Sequence, residues 1–172
     1  MFDLTKIDMV LFDFDDTLCI HSKRGTWMAA DYIEAVTHTL SNEMPYKASQ
    51  MNAQLCKFME YCRSMQIDMG LLSHVGSTAE SQQKVDWIAR CYGVQLKDYS
   101  VSTRDKKVLM LQSIANVRGV PNARILLVDD MCLTLDEASD AGFQTASPME
   151  IVNFVNDMDY RVEDALVVHG VA

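Results

Sequence analysis

Four short stretches of this sequence carry side chains able to do chemistry together. They are Asp13, Asp15 and Asp16 within Phe12-Asp-Phe-Asp-Asp-Thr-Leu18, Ser73, the pair Lys106-Lys107, and the pair Asp129-Asp130. Carboxylates two residues apart can divide general acid and base work, and a group of them suits a hard divalent cation. A hydroxyl and an ammonium can hold an anion. Each stretch alone also has a plain reading. An acid after a strand is a turn former or a cap, paired lysines opening a helix are solvated, and a lone serine is a cap. What turn chemistry does not explain is all four falling at successive strand ends.

The elements that must position them alternate between two periods. Residues 9–14, Met-Val-Leu-Phe-Asp-Phe, form a run with the pattern of a strand buried on both faces. Helical spacing covers 27–40 and 47–65, the second with Leu55, Phe58, Met59 and Cys62 on one stripe, and Pro45 separates the two. A second strand is expected over 67–73. Ser77-x-x-Glu80 then reads as a capping box, opening a helix that ends at Gly93 and aligns Val85, Ile88, Ala89 and Tyr92. A brief strand over 99–102 and a helix over 105–116 follow, broken by Gly119-Val120-Pro121. Residues 124–130, Arg-Ile-Leu-Leu-Val-Asp-Asp, are the clearest buried strand, followed by a helix to Ala141, a stop at Gly142 and a strand over 143–145. Ser147-Pro148-Met149-Glu150 sets an N-cap, a first-turn proline and a capping glutamate in order, so a last helix begins there. Alternating strands and helices predict a doubly wound, three-layer, Rossmann-like parallel sheet in a single α/β domain spanning 1–172, with ligands at the carboxyl ends of the strands.

The pattern Asp13-x-Asp15-x-Thr17 after an apolar strand resembles the first motif of the haloacid dehalogenase-like phosphotransferase superfamily. The resemblance extends to Ser73 as its second motif, to a lysine opening a later helix, and to Asp129-Asp130 as its acidic fourth motif, covering 9 to about 145. Lys106 and Lys107 compete for the lysine role. The spacing from Lys107 through Gly119-Val120-Pro121 to Asp130 is similar to that of the small magnesium-dependent phosphatases of the superfamily, which favours Lys107.

This resemblance implies a magnesium-dependent phosphomonoester hydrolase. A phosphate monoester is a dianion, and bringing a carboxylate against it demands the charge cancellation that a divalent cation and a lysine supply. Asp13 is the implied nucleophile, forming an aspartyl-phosphate, and Asp15 the implied acid and then base. Asp13, the Asp15 backbone carbonyl and Asp130 are the implied magnesium ligands. Ser73 and Lys107 hold the phosphoryl oxygens, and Asp129 orients Lys107 or a metal-bound water. Two departures stand out. Where relatives carry a second acid or amide four residues beyond the last metal aspartate this chain has Thr134, with Asp136 further along. After Ser73 comes His74, either a plain loop residue or a contact to phosphate or leaving group.

The intervals from Leu18 to Ile67 and from Ser73 to Lys107 leave room only for short core helices, so the expected form is capless or has a minimal cap. An open site needs a large substrate, a partner subunit or a flap to exclude water. The expected partner is therefore a phosphorylated substrate, small molecule or protein, with a homo-oligomer as one way to enclose it. Acidic residues outnumber basic ones 24 to 15, for a net charge of -9, which makes nucleic acid the least favoured substrate. An end-processing enzyme for nucleic acid would need Arg63, Lys57, Arg90 or Lys97 to form a basic track. A catalytically silent interaction module is the remaining alternative, and retention of both Asp13 and Asp15 argues against it. A receiver domain places its acceptor aspartate after the acidic pair, the reverse of the order here. With no apolar run near the ~20 residues of a membrane span and no signal-peptide layout at Met1 to Lys6, a cytoplasmic protein without membrane partners is expected. The five cysteines lack Cys-x-x-Cys spacing and read as reduced, mostly buried thiols.

Overall fold

A computed structural model describes residues 2–20, 46 and 49–168, with side chains through residue 158. Its elements in chain order are β1 (Met9–Phe12), β2 (Cys19–Ile20), β3 (Gln50–Met51), α1 (Ala53–Ser64), β4 (Asp68–Leu71), α2 (Thr78–Tyr92) and β5 (Lys97–Asp98). There follow α3 (Lys107–Arg118), β6 (Ile125–Val128), α4 (Cys132–Asp140), β7 (Gln144–Ala146) and α5 (Pro148–Val168). Five strands form one sheet in the order β5-β4-β1-β6-β7, and every pairing in it is parallel. Leu11 of β1 registers with Gly70 on one side and Leu127 on the other.

Both central strands, β1 and β6, are buried along their whole length because helices cover both faces. Side chains alternate between those faces. Val10, Phe12, Leu126 and Val128 pack with Leu55 and Phe58 of α1, Trp87 and Ile88 of α2, and Ile151 and Val155 of α5. Met9, Leu11, Ile125 and Leu127 pack with Leu111, Ile114 and Ala115 of α3 and Ala138 of α4. Each such side chain contributes about 1.5–3 kcal/mol on burial. The result is the three-layer, Rossmann-like arrangement expected from the sequence. No helix among the described residues is long and apolar enough to cross a membrane.

Several local expectations are corrected. The helix expected over 47–65 begins only at Ala53, because Gln50–Met51 pairs antiparallel with Cys19–Ile20 as a separate two-stranded sheet. The interval after Leu18 is thus not helical throughout. The Tyr92 hydroxyl holds its base, donating to the Leu18 carbonyl at 2.6 Å and accepting from the Asn52 N–H at 2.9 Å. The helix expected over 27–40 lies outside the described residues. The strand expected over 99–102 lies earlier, at β5, where Gly70 and Leu71 set the pairing register. On α2 the buried stripe is rotated from the expected one, running through Glu80, Ser81, Lys84, Trp87, Ile88 and Tyr92. Of the cysteines, Cys19 and Cys62 are buried, Cys56 and Cys91 half-buried and Cys132 exposed, fewer buried thiols than the sequence led us to expect.

Candidate active site

Backbone pairing continues past the ends of the central strands and brings the four stretches to one edge. The Asp13 N–H donates to the Val128 carbonyl at 2.8 Å, and the Leu72 N–H to the Phe12 carbonyl at 2.8 Å. Asp13, Ser73 and Asp129 therefore leave the carboxyl ends of three neighbouring strands. The connections from β1 to β4 and onward to β6 fall on opposite sides of β1 there, the switch point at which such sheets bind ligands. Beyond Asp13 the chain turns tightly. The Phe14 carbonyl accepts from the Leu18 N–H at 3.0 Å and the Cys19 N–H at 2.9 Å, with Asp16 at φ 52° in the left-handed region that aspartate tolerates. The Phe14 ring is fully buried against Trp87 and Tyr46.

Lys107, the first residue of α3, is 3% exposed, and its Nζ lies 2.8 Å from both Asp13 Oδ1 and Asp129 Oδ2. Burial pushes its ammonium down in pKa, but Asp13 and then Asp129 more than reverse this and hold it above the ordinary lysine value. Lys106, one residue earlier, is exposed, and among the described residues its ammonium bonds only the Ser102 hydroxyl, at 3.2 Å. Asp129 is fully buried with both oxygens engaged, since Oδ1 accepts from the Met131 N–H at 2.9 Å. Asp130 points the other way, to the open rim, as alternation along extended backbone requires. Burial first, then Asp13, Asp129 and Asp16, push the Asp130 carboxyl up to about 7. Asp13 is likewise raised, by burial first, against the lowering effect of Lys107. Oxygens of Asp13, Asp129 and Asp130 lie within 4.8 Å of one another. A cluster of carboxylates held this close, two of them raised by burial first and then by neighbouring carboxylates, and whose donors are all hard oxygens, fits a divalent cation.

A cleft of about 360 Å³ opens over these groups, lined by Asp13, Asp15, Asp16, His74, Lys107 and Asp130, with Arg104 and Met131 at its side. The His74 Nε2 lies 3.1 Å from the Ser102 carbonyl, an oxygen that only accepts, so the ring donates from that nitrogen. Ser73 is set back: it is fully buried and does not line the cleft. Thr134 is also fully buried and off the cleft, its hydroxyl without a hydrogen-bond partner among the described residues. None of Lys57, Arg63, Arg90 and Lys97 lines the cleft.

The residue that sequence reasoning missed is Lys84. It is fully buried on α2, and its Nζ contacts Asp15 Oδ2 at 2.7 Å, the His74 carbonyl at 2.9 Å and Ser73 Oγ at 3.1 Å. Burial lowers its pKa, and Asp15, then Glu80 and Asp13, raise it past the ordinary lysine value. The one local signal, Glu80 four residues before it, is the spacing of an ordinary surface ion pair.

No protein-family model and no curated protein sequence matches the chain. Solved structures do match its fold. A protein from Bacteroides fragilis described as a haloacid dehalogenase-like hydrolase aligns at TM-score 0.57 and 14% identity, covering 81% of this chain and 86% of that one. The cobalt-bound deoxy-D-mannose-octulosonate 8-phosphate phosphatase of Haemophilus influenzae aligns at TM-score 0.51 and 15% identity, over 84% of this chain and 70% of that one. A haloacid dehalogenase family enzyme from Bacteroides thetaiotaomicron, an aspartate-to-alanine mutant holding magnesium and inorganic phosphate, aligns at TM-score 0.50 and 10% identity, over 82% and 93%. The parallel sheet with its acidic carboxyl edge thus shares its fold with these structures, two of which are described as haloacid dehalogenase-like.

Proposed function

We propose that the protein is a magnesium-dependent phosphomonoester hydrolase working through an aspartyl-phosphate, on a large or oligomer-enclosed phosphorylated substrate. The observation that carries this reading is the Lys107 ammonium bridging Asp13 and Asp129 at 2.8 Å on the floor of the cleft, with Asp15 and Asp130 lining the same space. An ammonium seated on a buried carboxylate favours its ionised form against the effect of burial and offers charge to an incoming dianion.

Asp13 attacks phosphorus, and the bond to the ester oxygen breaks as Asp15 delivers a proton to that oxygen. Asp15, now a carboxylate, takes a proton from water as the water attacks the phosphoryl group on Asp13, releasing phosphate and restoring both acids. Lys107 holds the transferring oxygens from one side. Ser73, buried behind the cleft with its hydroxyl 3.3 Å from the His74 carbonyl, is assigned the second contact, which requires the loop over it to open and its proton to turn toward a phosphoryl oxygen. Magnesium, held by Asp13, the Asp15 carbonyl and Asp130, supplies neutralising charge when bound. Asp129, with its oxygens spent on Lys107 and the Met131 N–H, orients the lysine. Asp16, Arg104 and Met131 also line the cleft, and on the capless reading exclusion of water falls to a bulky substrate or a second subunit.

A panel of phosphate esters assayed with magnesium, and again with chelator, tests the reading. Hydrolysis that requires the metal, and an Asp15→Asn loss of about 10²- to 10⁴-fold, is expected. Failure on every ester with the metal bound would favour a non-catalytic interaction module.

A further inference from the structure

The proposed reaction uses Asp15 but does not explain the cation beneath it. Lys84 is fully buried, so no substrate reaches it. An ammonium has three N–H donors, and here they meet three acceptors: Asp15 Oδ2, the His74 carbonyl and Ser73 Oγ. Glu80 Oε1 stands at 3.4 Å as a second counter-charge, and Glu80 is itself anchored by the Gly76 N–H at 2.7 Å. The Phe14 ring lies 5.1 Å from Nζ. Such a buried ion cluster is poor value as stabilisation, since apolar groups of the same volume generally do as well or better. What it provides is geometry: Asp15 cannot rotate away without leaving a buried ammonium short of a partner.

We propose that Lys84 is a positioning residue for the acid/base carboxylate. It fixes the Asp15 side chain through Oδ2 and ties it to the Ser73-His74 loop at the end of the neighbouring strand, so that one orientation persists through both half-reactions. Because an ammonium only donates, Ser73 Oγ must accept from it, and the serine proton is directed away from Lys84. This inference rests on the assignment of Asp15 as the acid/base group.

The test compares Lys84→Met combined with Glu80→Gln, which removes the buried cation and the second of its counter-charges while leaving Asp15 in place, with Lys84→Arg, which keeps the charge but displaces the donors. For the first, we expect a folded protein with kcat down ~10²-fold and KM moved less than about threefold. Adding Asp15→Asn to it should then cost less than Asp15→Asn costs in the wild-type background, by the factor already lost, because the two changes remove one function. Lys84→Arg should fold and lose about tenfold in kcat. A folded variant with kcat near wild type, or an Asp15→Asn penalty as large as in the wild-type background, overturns the proposal. If the wild-type protein hydrolyses no ester, the proposed function fails, and crystal structures of the wild type and the two variants still decide the role of Lys84. An Asp15 side chain that keeps its position without Lys84 refutes it, and one that swings supports it.

Discussion

Lys107 and Lys84 are both buried ammonium groups at the carboxyl edge of one sheet, yet Lys107 lines the cleft between Asp13 and Asp129 whereas Lys84 is sealed beneath Asp15. The first has carboxylate partners on two central strands' ends. The second has one carboxylate there and another, Glu80, on its own helix. Both satisfy the requirement that a buried charge be paired. Only the first can also meet a ligand. Pairing alone therefore does not mark a binding group; pairing together with access does. The two lysines divide into one that touches the reacting anion and one that holds a group which does.

Asp13 is where this comparison breaks most severely. Asp13→Asn should abolish turnover while leaving the fold intact, because the amide keeps the shape and Lys107 retains Asp129 at 2.8 Å. Kinetics with a parallel melting curve check this, and an Asp13→Asn protein with a near-native rate would end the covalent mechanism.

Next in size is the contrast between adjacent lysines. Lys107→Ala should lower kcat by about 10²- to 10³-fold, the usual cost of losing one preorganised charge. Lys106→Ala should behave as wild type, since among the described residues its ammonium meets only the exposed Ser102 hydroxyl. The reverse outcome would shift the lysine motif by one residue.

A smaller effect should appear in stability against pH. The Asp130 carboxyl, at about 7 in the folded chain against an ordinary 3.8, binds more protons folded than unfolded between those values. Its contribution is therefore lost as pH rises through that window. Since Asp130 stands at the solvent rim, screening reduces the effect. In chelator, wild-type melting temperature should fall from pH 5 to pH 7.5 more than that of Asp130→Asn, and magnesium should flatten the wild-type slope. Parallel slopes in chelator would show that Asp130 does not feel its acidic neighbours.

The same contrast explains what could be read from the sequence. Met9–Phe12 and Ile125–Val128 announce themselves because a strand covered on both faces must be apolar throughout. The acids after them are legible because strand ends in such a sheet face ligand. β2 and β3 were not, since two residues each carry no periodicity and their alignment depends on Tyr92, 40 residues beyond Asn52. β5 escaped its exact place because both its residues are exposed and polar at a sheet edge. Lys84 was hidden because its partners Asp15 and Ser73 lie 69 and 11 residues away, and only tertiary packing turns a lysine of an amphipathic helix inward.

The smallest predicted effect concerns Thr134, which stands where relatives carry an acid or amide. Its side chain is fully buried within the first turn of α4, its hydroxyl meets no partner among the described residues, and it does not line the cleft. A buried hydroxyl left unsatisfied costs about 1–3 kcal/mol. Thr134→Val keeps the shape and removes that cost, so the melting temperature should rise by about 2–4 °C for each kcal/mol regained, with kcat and the magnesium requirement unchanged. Thr134→Asp makes the opposite case, because it places a charge at a fully buried position and should lower stability. If Thr134→Asp instead tightens magnesium, measured as the activation constant in the ester assay, the side chain faces the metal and α4 supplies one of its ligands.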